Sequence, residues 1–583
     1  MSTSEPFTSY LSPVSEYLAL PLLIAAAILF LLYRWALPKP IPGIPYDEAA
    51  ARSLFGSTLQ MLAFRKANND RLTDWFAQQA QLNRWPLSQF WMAPLARPTL
   101  VLADFREVQD ILLRRSKEFG RSKRDKSLFA NTFPEFHLAL TSEDPKYKRN
   151  RALVKDLMSP LFLKNVSAPQ VYSKSTNLIN LWKFKLAAAR GRPFDVVDDI
   201  FGTLSDTITG AAFALNDDMS TTKQQLLYLQ SLRADLQLAP SEDGASIFPK
   251  LSPLPYYRAL RRVSDHQGDL SKAASPFLSH HFAMLTQSEL RRDFNVIREF
   301  EAKEIQKSIA RLDEDENDLT SALDHLVAQE KHIAIKEGRK PEYYSQRIFD
   351  EVVGYYRAGH ETTANTASWI VKYLAQNPEV QEQLRSALRA AHTVAFQEGR
   401  QPTAAEILEA RTPLLSAVIE EVLRLQAPFG LIDREALVDT VVLGHRVPKG
   451  TVIFMSSLGP SLHTPALPIP EHLRSEASQA KQWDRNWAPD DIHLFKPERW
   501  LKKDEEKGEV TYDSQAGPLL SFGLGPRQCF GKRLAYLQLR ILATLFVWNF
   551  EFENIEGPLG AFEINELNVR QPQYCYVKLK DVQ

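Results

Sequence analysis

Past residue 46, long stretches carry apolar side chains three and four residues apart, the spacing that gathers them on one face of a helix. Such stretches lie near 50–80, 171–190, 197–215, 255–310, 344–376, 378–398, 403–425 and 530–545. Runs of β type are few and short: 98–104, 440–455, and two near 549–553 and 574–580. Within 440–455, VVLGHRVPKGTVI reads as a hairpin with turns at Gly444 and at Lys449–Gly450. Residues 460–490, rich in Pro, Ser and Trp, read as an irregular loop or insertion. No internal repeat is visible. The pattern predicts a mainly α protein with small β-sheets.

The N-terminus breaks this pattern. Residues 17–37 read YLALPLLIAAAILFLLYRWAL, apolar all round, with Arg34 as the first charge. About 20 such residues match the hydrocarbon core of a bilayer, and Tyr17 and Trp35 sit where interfacial aromatics belong. Glu5 and Glu16 precede the run; Arg34 and Lys39 follow it. By the positive-inside rule the N-terminus is luminal and the rest cytosolic. A cleaved signal peptide is the competing reading, but the run is long for one and its leading flank is acidic. Next, PKPIPGIPY cannot continue a helix and favours a stiff extended spacer. The expected organisation is therefore a luminal segment 1–16, a single transmembrane anchor 17–37, a hinge 38–46 and one catalytic domain 47–583.

Composition narrows the class. The 583 residues are 44% hydrophobic and 24% charged, as expected of a folded enzyme. Lys and Arg together number 70, as do Asp and Glu, so no global field argues for nucleic acid as a partner. Cys529 and Cys575 are the only cysteines. Two thiols in so long a chain argue against a disulfide framework and fit a reducing compartment.

The chemistry gathers around one of them. SFGLGPRQCFGKRLA, residues 521–535, has the skeleton F-x-x-G-x-R-x-C-x-G, formed by Phe522, Gly525, Arg527, Cys529 and Gly531. If a haem lies over this loop, Cys529 as thiolate supplies a soft, electron-rich axial ligand. The helical pattern after it points N-terminal amides and a positive dipole end at the sulfur. Gly525 and Gly531 let the backbone bend with no Cβ in the way. Arg527 is suited to a propionate and Phe522 to packing on the ring system. Otherwise this is a glycine-rich turn with an inert buried cysteine. The five positions together resemble the haem-binding loop of the cytochrome P450 family.

Further motifs carry the same resemblance. Ala358-Gly359-His360-Glu361-Thr362-Thr363, at the centre of the long helical pattern 349–376, looks like the family's oxygen-activation segment. The resemblance implies that small residues at Ala358 and Gly359 leave room for dioxygen. Thr362 would then donate to bound oxygen species and Glu361 would relay protons. His360 is not expected to act, since a thiolate already serves the iron. Tyr356 and Arg357 depart from the usual apolar residues and face either another helix or a polar substrate group. Glu421 and Arg424, three apart on one helix face, form E-x-x-R. FKPERW, residues 495–500, resembles the segment that in the family adds Arg499 to a buried triad behind the haem. Arg151 and Arg434 are implied propionate partners; Tyr147 stands where the family has Trp or His. The charges Lys146, Lys148, Arg149 and Lys155 are either a solvated face or a docking surface for an acidic reductase domain.

The resemblance covers nearly the whole chain after residue 40. It implies the cytochrome P450 fold after one transmembrane helix, haem b as cofactor, and a monooxygenase that inserts one oxygen atom of O2 into a lipophilic small molecule. No flavin or nicotinamide domain follows Cys529, so electrons are expected from a separate membrane-bound NADPH–cytochrome P450 reductase. The implied location is the endoplasmic reticulum membrane with a cytosolic catalytic domain. The style of the chain resembles filamentous-fungal members that tailor secondary metabolites. Two rivals remain at this point: a haem-thiolate isomerase or dehydratase that uses no O2, and a non-catalytic haem- or steroid-binding membrane protein. Both commonly lack the acid–Thr pair or the axial Cys, and both features are present here.

Overall fold

The computed structural model describes residues 14–582 apart from 233–237, 239, 274, 481–484, 505 and 507; for 14–19, 124, 125, 130 and 480 it describes the backbone alone. Four long helices make the centre. Ala168–Ala189 packs on Val197–Phe213 and on Lys532–Asn549, and Gln346–Gln376 packs on the latter two. Their shared interior is aromatic and branched-aliphatic, with the buried Trp182 ring stacked on Phe546 at 4.9 Å and Leu204, Trp369 and Leu542 filling the layers around it. Gln346–Gln376 is buried along most of its length, which is why its apolar stripe is wider than a surface helix needs.

The β structure lies to one side. A five-stranded sheet runs in the order Leu87–Phe90, Thr99–Leu102, Val452–Ser456, Leu431–Ala436, Phe119–Gly120. Thr99 pairs with Val452 in a parallel register and Leu431 with Ser456 in an antiparallel one. A three-stranded sheet joins Phe550–Glu553, Tyr576–Asp581 and Phe194–Asp195, and three two-stranded ribbons complete the set among the described residues.

Several expected elements come out divided. The 255–310 pattern is three helices, Pro255–Lys272, Pro276–Thr286 and Ser288–Glu314; Ser275 caps the second and Pro276 opens it. The 50–80 pattern breaks at Asn69 and Asp70, both at positive φ, between Thr58–Ala67 and Leu72–Leu82. The 440–455 hairpin is half right. Thr440–Val442 pairs with His445–Val447 around Gly444, but Val452–Ser456 leaves that ribbon for the main sheet. Its near-continuous burial suits a strand inside a sheet rather than a ribbon edge. Described residues of 460–490 hold a turn bridged at Pro460 and Thr464 and two short helical pieces, Glu471–Leu473 and Glu476–Ala480.

The proline-rich hinge is not a free spacer. Ile41 and Ile44 are buried, and the Gln89 carboxamide clasps them: it accepts from Ile41 N at 2.8 Å and donates to Ile41 O at 2.8 Å and Ile44 O at 2.7 Å. Apolar residues between the prolines give the segment a face to bury. Before it, Val14–Ala36 is helical, with Leu23 and Leu31 about two-thirds exposed. Its described side chains begin at Leu20, and among the described residues no helix is long and apolar enough to cross a membrane. Most of the expected luminal segment, Glu5 included, lies outside the described residues.

Candidate functional site

The cysteine loop sits between the ion-paired helix Pro413–Leu425 and the start of Lys532–Asn549. Gly525 has φ +74°, and a Cβ there would lie 2.0 Å from Leu112 O, so this position admits only glycine. The turn closes by Gln528 N donating to Gly525 O at 3.0 Å and Cys529 N to Phe522 O at 2.8 Å. Ser521 Oγ donates to Leu423 O at 2.6 Å and ties the loop to the ion-paired helix. Gly531 differs from expectation: its φ is −80° and a Cβ would meet no protein atom within 4 Å, so packing within the chain does not require glycine there. Phe522 lies against Tyr536, ring centroids 5.1 Å apart.

Cys529 is solvent-accessible, yet protein encloses it on most sides. That enclosure raises the thiol pKa; the Gly531 and Lys532 amides, which donate to the sulfur, and the charges of Lys532 and Arg151 pull it down. A helix N-terminus beside a lysine and an arginine is a setting for a thiolate, and an accessible soft donor is what an iron needs. Cys575, by contrast, is fully buried, donates weakly to Ser368 O and has its thiol pushed up to about 12 by burial.

The Ala358–Thr363 motif lies on Gln346–Gln376, which packs on Lys532–Asn549. Ala358 is exposed there. Gly359 faces elsewhere: a Cβ on it would come within 2.6 Å of Ile208 Cδ1, so the room expected at this residue is taken by the neighbouring helix. A 100° turn per residue separates the two faces. Thr362 Oγ donates to Ala358 O at 3.2 Å. Burial raises the Glu361 pKa, opposed by the Arg357 charge and a hydrogen bond from Asn568. His360 is buried on the other face, its ring stacked on Tyr356 at 4.4 Å and its Nδ1 3.0 Å from Tyr356 O; burial holds it down to about 4, hence neutral. Tyr356 faces another helix, its hydroxyl 2.8 Å from Ser205 Oγ.

Behind the loop, Glu421 is wholly buried and collects five donors. Arg424 Nε and Nη2 lie at 2.8 Å each, Arg499 Nε at 2.9 Å, Trp500 Nε1 at 2.9 Å and Lys496 N at 3.0 Å. Arg424 Nη1 also donates to Leu462 O at 2.6 Å and Ile492 O at 2.7 Å, pinning two distant loops to one helix. Sequence reasoning placed the three charges but missed Trp500, Lys496 and Asp491, the last a further partner of Arg499 at 3.1 Å.

The rim is cationic. Arg527 donates to Leu140 O at 2.8 Å and its guanidinium lies 4.1 Å from the Tyr147 ring centroid. Burial, with the like charges of Arg121 and Arg434, pushes it down to about 10, and its Nη1 is buried without a hydrogen-bond partner. Arg434 Nη1 donates to Asp433 O at 2.7 Å, and Arg151 stands 3.9 Å from the Phe530 ring centroid. Converging guanidiniums with an orphaned donor fit the two carboxylates of a haem edge. Arg121 was missed from the sequence because no local motif marks it. So was His137, whose Nδ1 lies 2.7 Å from Glu351 Oε2 and whose ring packs edge-on to Phe530.

The chain was compared with known proteins. The family model "Cytochrome P450" matches residues 64–463 and 490–574. The chain belongs to the cytochrome P450 family. Cytochrome P450 monooxygenase TRI13 of Fusarium sporotrichioides is 36% identical over 594 residues, covering 97% of this chain and 99% of that protein. Cytochrome P450 monooxygenase GME11363 of Pestalotiopsis microspora is 34% identical, covering 96% and 97%. Cytochrome P450 monooxygenase xilC of Penicillium rubens is 34% identical, covering 95% of each chain. This P450 is therefore a haem-thiolate monooxygenase, an oxidoreductase dependent on O2 and a redox partner.

Proposed function

We propose that Cys529 Sγ is the axial ligand of haem b and that the enzyme hydroxylates or otherwise oxygenates a lipophilic fungal secondary metabolite. The observation that carries the site is the sulfur itself: accessible, backed by two amide donors, and in a loop whose Arg527 stands among other arginines. Arg527, Arg434 and Arg151 would hold the propionates, and Phe522 would pack beneath the ring. When bound, the haem supplies reductive activation of dioxygen and transfer of one oxygen atom. Substrate, O2, two electrons and two protons then yield the oxygenated product and water.

The chain's own residues manage the protons and the geometry. Thr362, which already bends its hydroxyl back toward Ala358 O, is placed to turn and donate on the open side. Glu361, whose pKa burial raises and which Asn568 reaches, takes up a proton more readily than a surface carboxylate and passes it inward. Gly525 and the Glu421 cluster preform the loop so that the sulfur needs no rearrangement to bind iron.

In this reading electrons come from a membrane-bound NADPH–cytochrome P450 reductase docking near the exposed Lys148 and Lys155, since Lys146 and Arg149 pair with Glu135. Residues 17–37 anchor the enzyme in the endoplasmic reticulum membrane, with 1–16 luminal and 47–583 cytosolic. The exposed apolar side chains from Leu20 to Leu32 support this. The substrate class is supported by the relatives, which are fungal monooxygenases. The deciding test is the reduced, carbon monoxide-bound difference spectrum. The wild type is expected to give the red-shifted Soret band of thiolate ligation. Cys529→Ser is expected to lose it together with turnover; a variant that keeps both ends the proposal.

A further inference from the structure

Immediately before Ala358 the distal helix carries a charge that the oxygen chemistry does not use. Groups from three other elements lie around Arg357. Phe129 of Lys123–Ala130 has its ring centroid 6.0 Å from the guanidinium. Asp265 of Pro255–Lys272 and Glu361, one turn along the same helix, are the acids that act on it electrostatically. Asn568, at the end of the turn before Arg570–Pro572, reaches Glu361 and donates to Ser264 O at 3.0 Å. Asn568 also lines a cavity of about 150 Å³, together with Ser271, Phe429 and Leu567. Groups from these elements thus gather around Arg357, the residue beside the exposed Ala358.

Among the described residues Arg357 makes no hydrogen bond and no ion pair, and its Nη1 is buried with no partner. A buried guanidinium left without an acceptor is costly, and folding tolerates it where a ligand completes it. Three other buried arginines, Arg424, Arg499 and Arg570, by contrast bind carboxylates directly. The nearby Glu361 and Asp265 decide the kind of acceptor. They act on the cation without touching it, so a ligand carboxylate would enter beside two acids whose pKa values burial already raises, whereas a neutral oxygen adds no charge.

We propose, on the monooxygenase reading above, that Arg357 holds a neutral acceptor oxygen, a carbonyl or ester, on an otherwise lipophilic substrate. The enzyme's substrate is then a molecule already oxygenated by an earlier step, and Arg357 fixes which carbon lies over Ala358. The guanidinium is a specificity determinant that touches substrate without taking part in oxygen transfer. Its planar fork suits a carbonyl oxygen better than a lysine ammonium would.

Two fused-ring terpenoids that differ by one ketone test this: nootkatone and its hydrocarbon valencene. Each is titrated into the purified haem-loaded full chain and followed by the Soret shift of substrate binding. The wild type is expected to bind the ketone at least about tenfold more tightly, the value of one charge-assisted hydrogen bond. Arg357→Met is expected to bind both equally, with valencene affinity unchanged or improved, and Arg357→Lys to keep a reduced preference. Dehydroabietic acid, a ring system bearing a carboxylate, is expected to bind the wild type more weakly than the ketone. Absence of a ketone preference in the wild type, its survival in Arg357→Met, or tighter binding of the acid overturns the proposal. The reduced carbon monoxide spectrum of each protein separates this failure from another: loss of the thiolate band in the wild type would sink the haem-ligand reading instead.

Discussion

Replacing Glu421 by Ala removes the one acceptor shared by Arg424, Arg499, Trp500 and the Lys496 amide. Two guanidiniums then stay behind in a site where the Arg424 side chain has no solvent contact. Breaking a buried pair by deleting one partner costs about 3–5 kcal/mol, most of it the desolvation of the charge left unpaired. Set against a typical domain stability of about 5–15 kcal/mol, that is from roughly a fifth of the total to all of it. The loss is also local. Arg424 holds the carbonyls of Leu462 and Ile492, and the next carbonyl along the helix from Glu421's turn, Leu423 O, holds Ser521 of the cysteine loop. The loop should therefore lose its preformed shape before the distal half melts. The assay is the ratio of haem, by pyridine haemochromogen, to protein, by amino-acid analysis, after expression with haem precursor. Glu421→Ala is expected to emerge largely haem-free. Glu421→Ala/Arg424→Met should recover part of the ratio, because it removes one of the stranded charges. A stoichiometric haem content in the single variant, with unaltered thermal loss of the thiolate signature, would refute the reasoning.

His463, held at about 4 by burial with its Nε2 2.9 Å from Arg424 O, should couple the same cluster to pH. Its unfolded value is about 6.5 and a pKa unit is worth about 1.4 kcal/mol, so up to about 3 kcal/mol is lost as pH falls from 6.5 through 4, and none above 6.5. Burial raises Asp350 to about 7, which slopes the opposite way, so the readout is the difference in thermal midpoint between wild type and His463→Gln. That difference should move in favour of the variant below pH 6.5; a constant offset would contradict it. Gly525→Ala places a Cβ against Leu112 O at a positive φ and should abolish haem incorporation, whereas Gly531→Ala, which meets no protein atom, should fold normally by circular dichroism. Thr362→Ala should retain haem but divert NADPH oxidation into peroxide, measured as product formed per NADPH; unchanged coupling would remove Thr362 from proton delivery.

What could be read from the chain and what could not divide along one physical line. Features that depend on neighbours in sequence were legible. Glu421 and Arg424 are one turn apart and do pair; Gly525 sits in a turn that a Cβ would break; a helix begins right after Cys529. The helix breaks at Ser275–Pro276 and at Asn69–Asp70 also left local signals, a cap before a proline and two residues tolerant of positive φ, which periodicity alone overran. Features that depend on residues far apart were not legible. Val452–Ser456 joins the main sheet because its partners lie at Thr99–Leu102 and Leu431–Ala436. Gln89 captures the hinge from 45 to 48 residues away. Gly359 looked like room for a ligand, and its actual neighbour, Ile208, comes from a helix about 150 residues earlier. The same line runs through the active site. Glu361, Thr362 and Cys529 are marked by local motifs. Arg121, His137, Asp265 and Asn568 gain meaning only when four separate elements close around the distal helix. The local motifs therefore speak for the reaction, and the choice of substrate rests on side chains that no motif contains. That is why Arg357, inside a motif's flank yet satisfied by nothing in the chain itself, is the residue where the two meet.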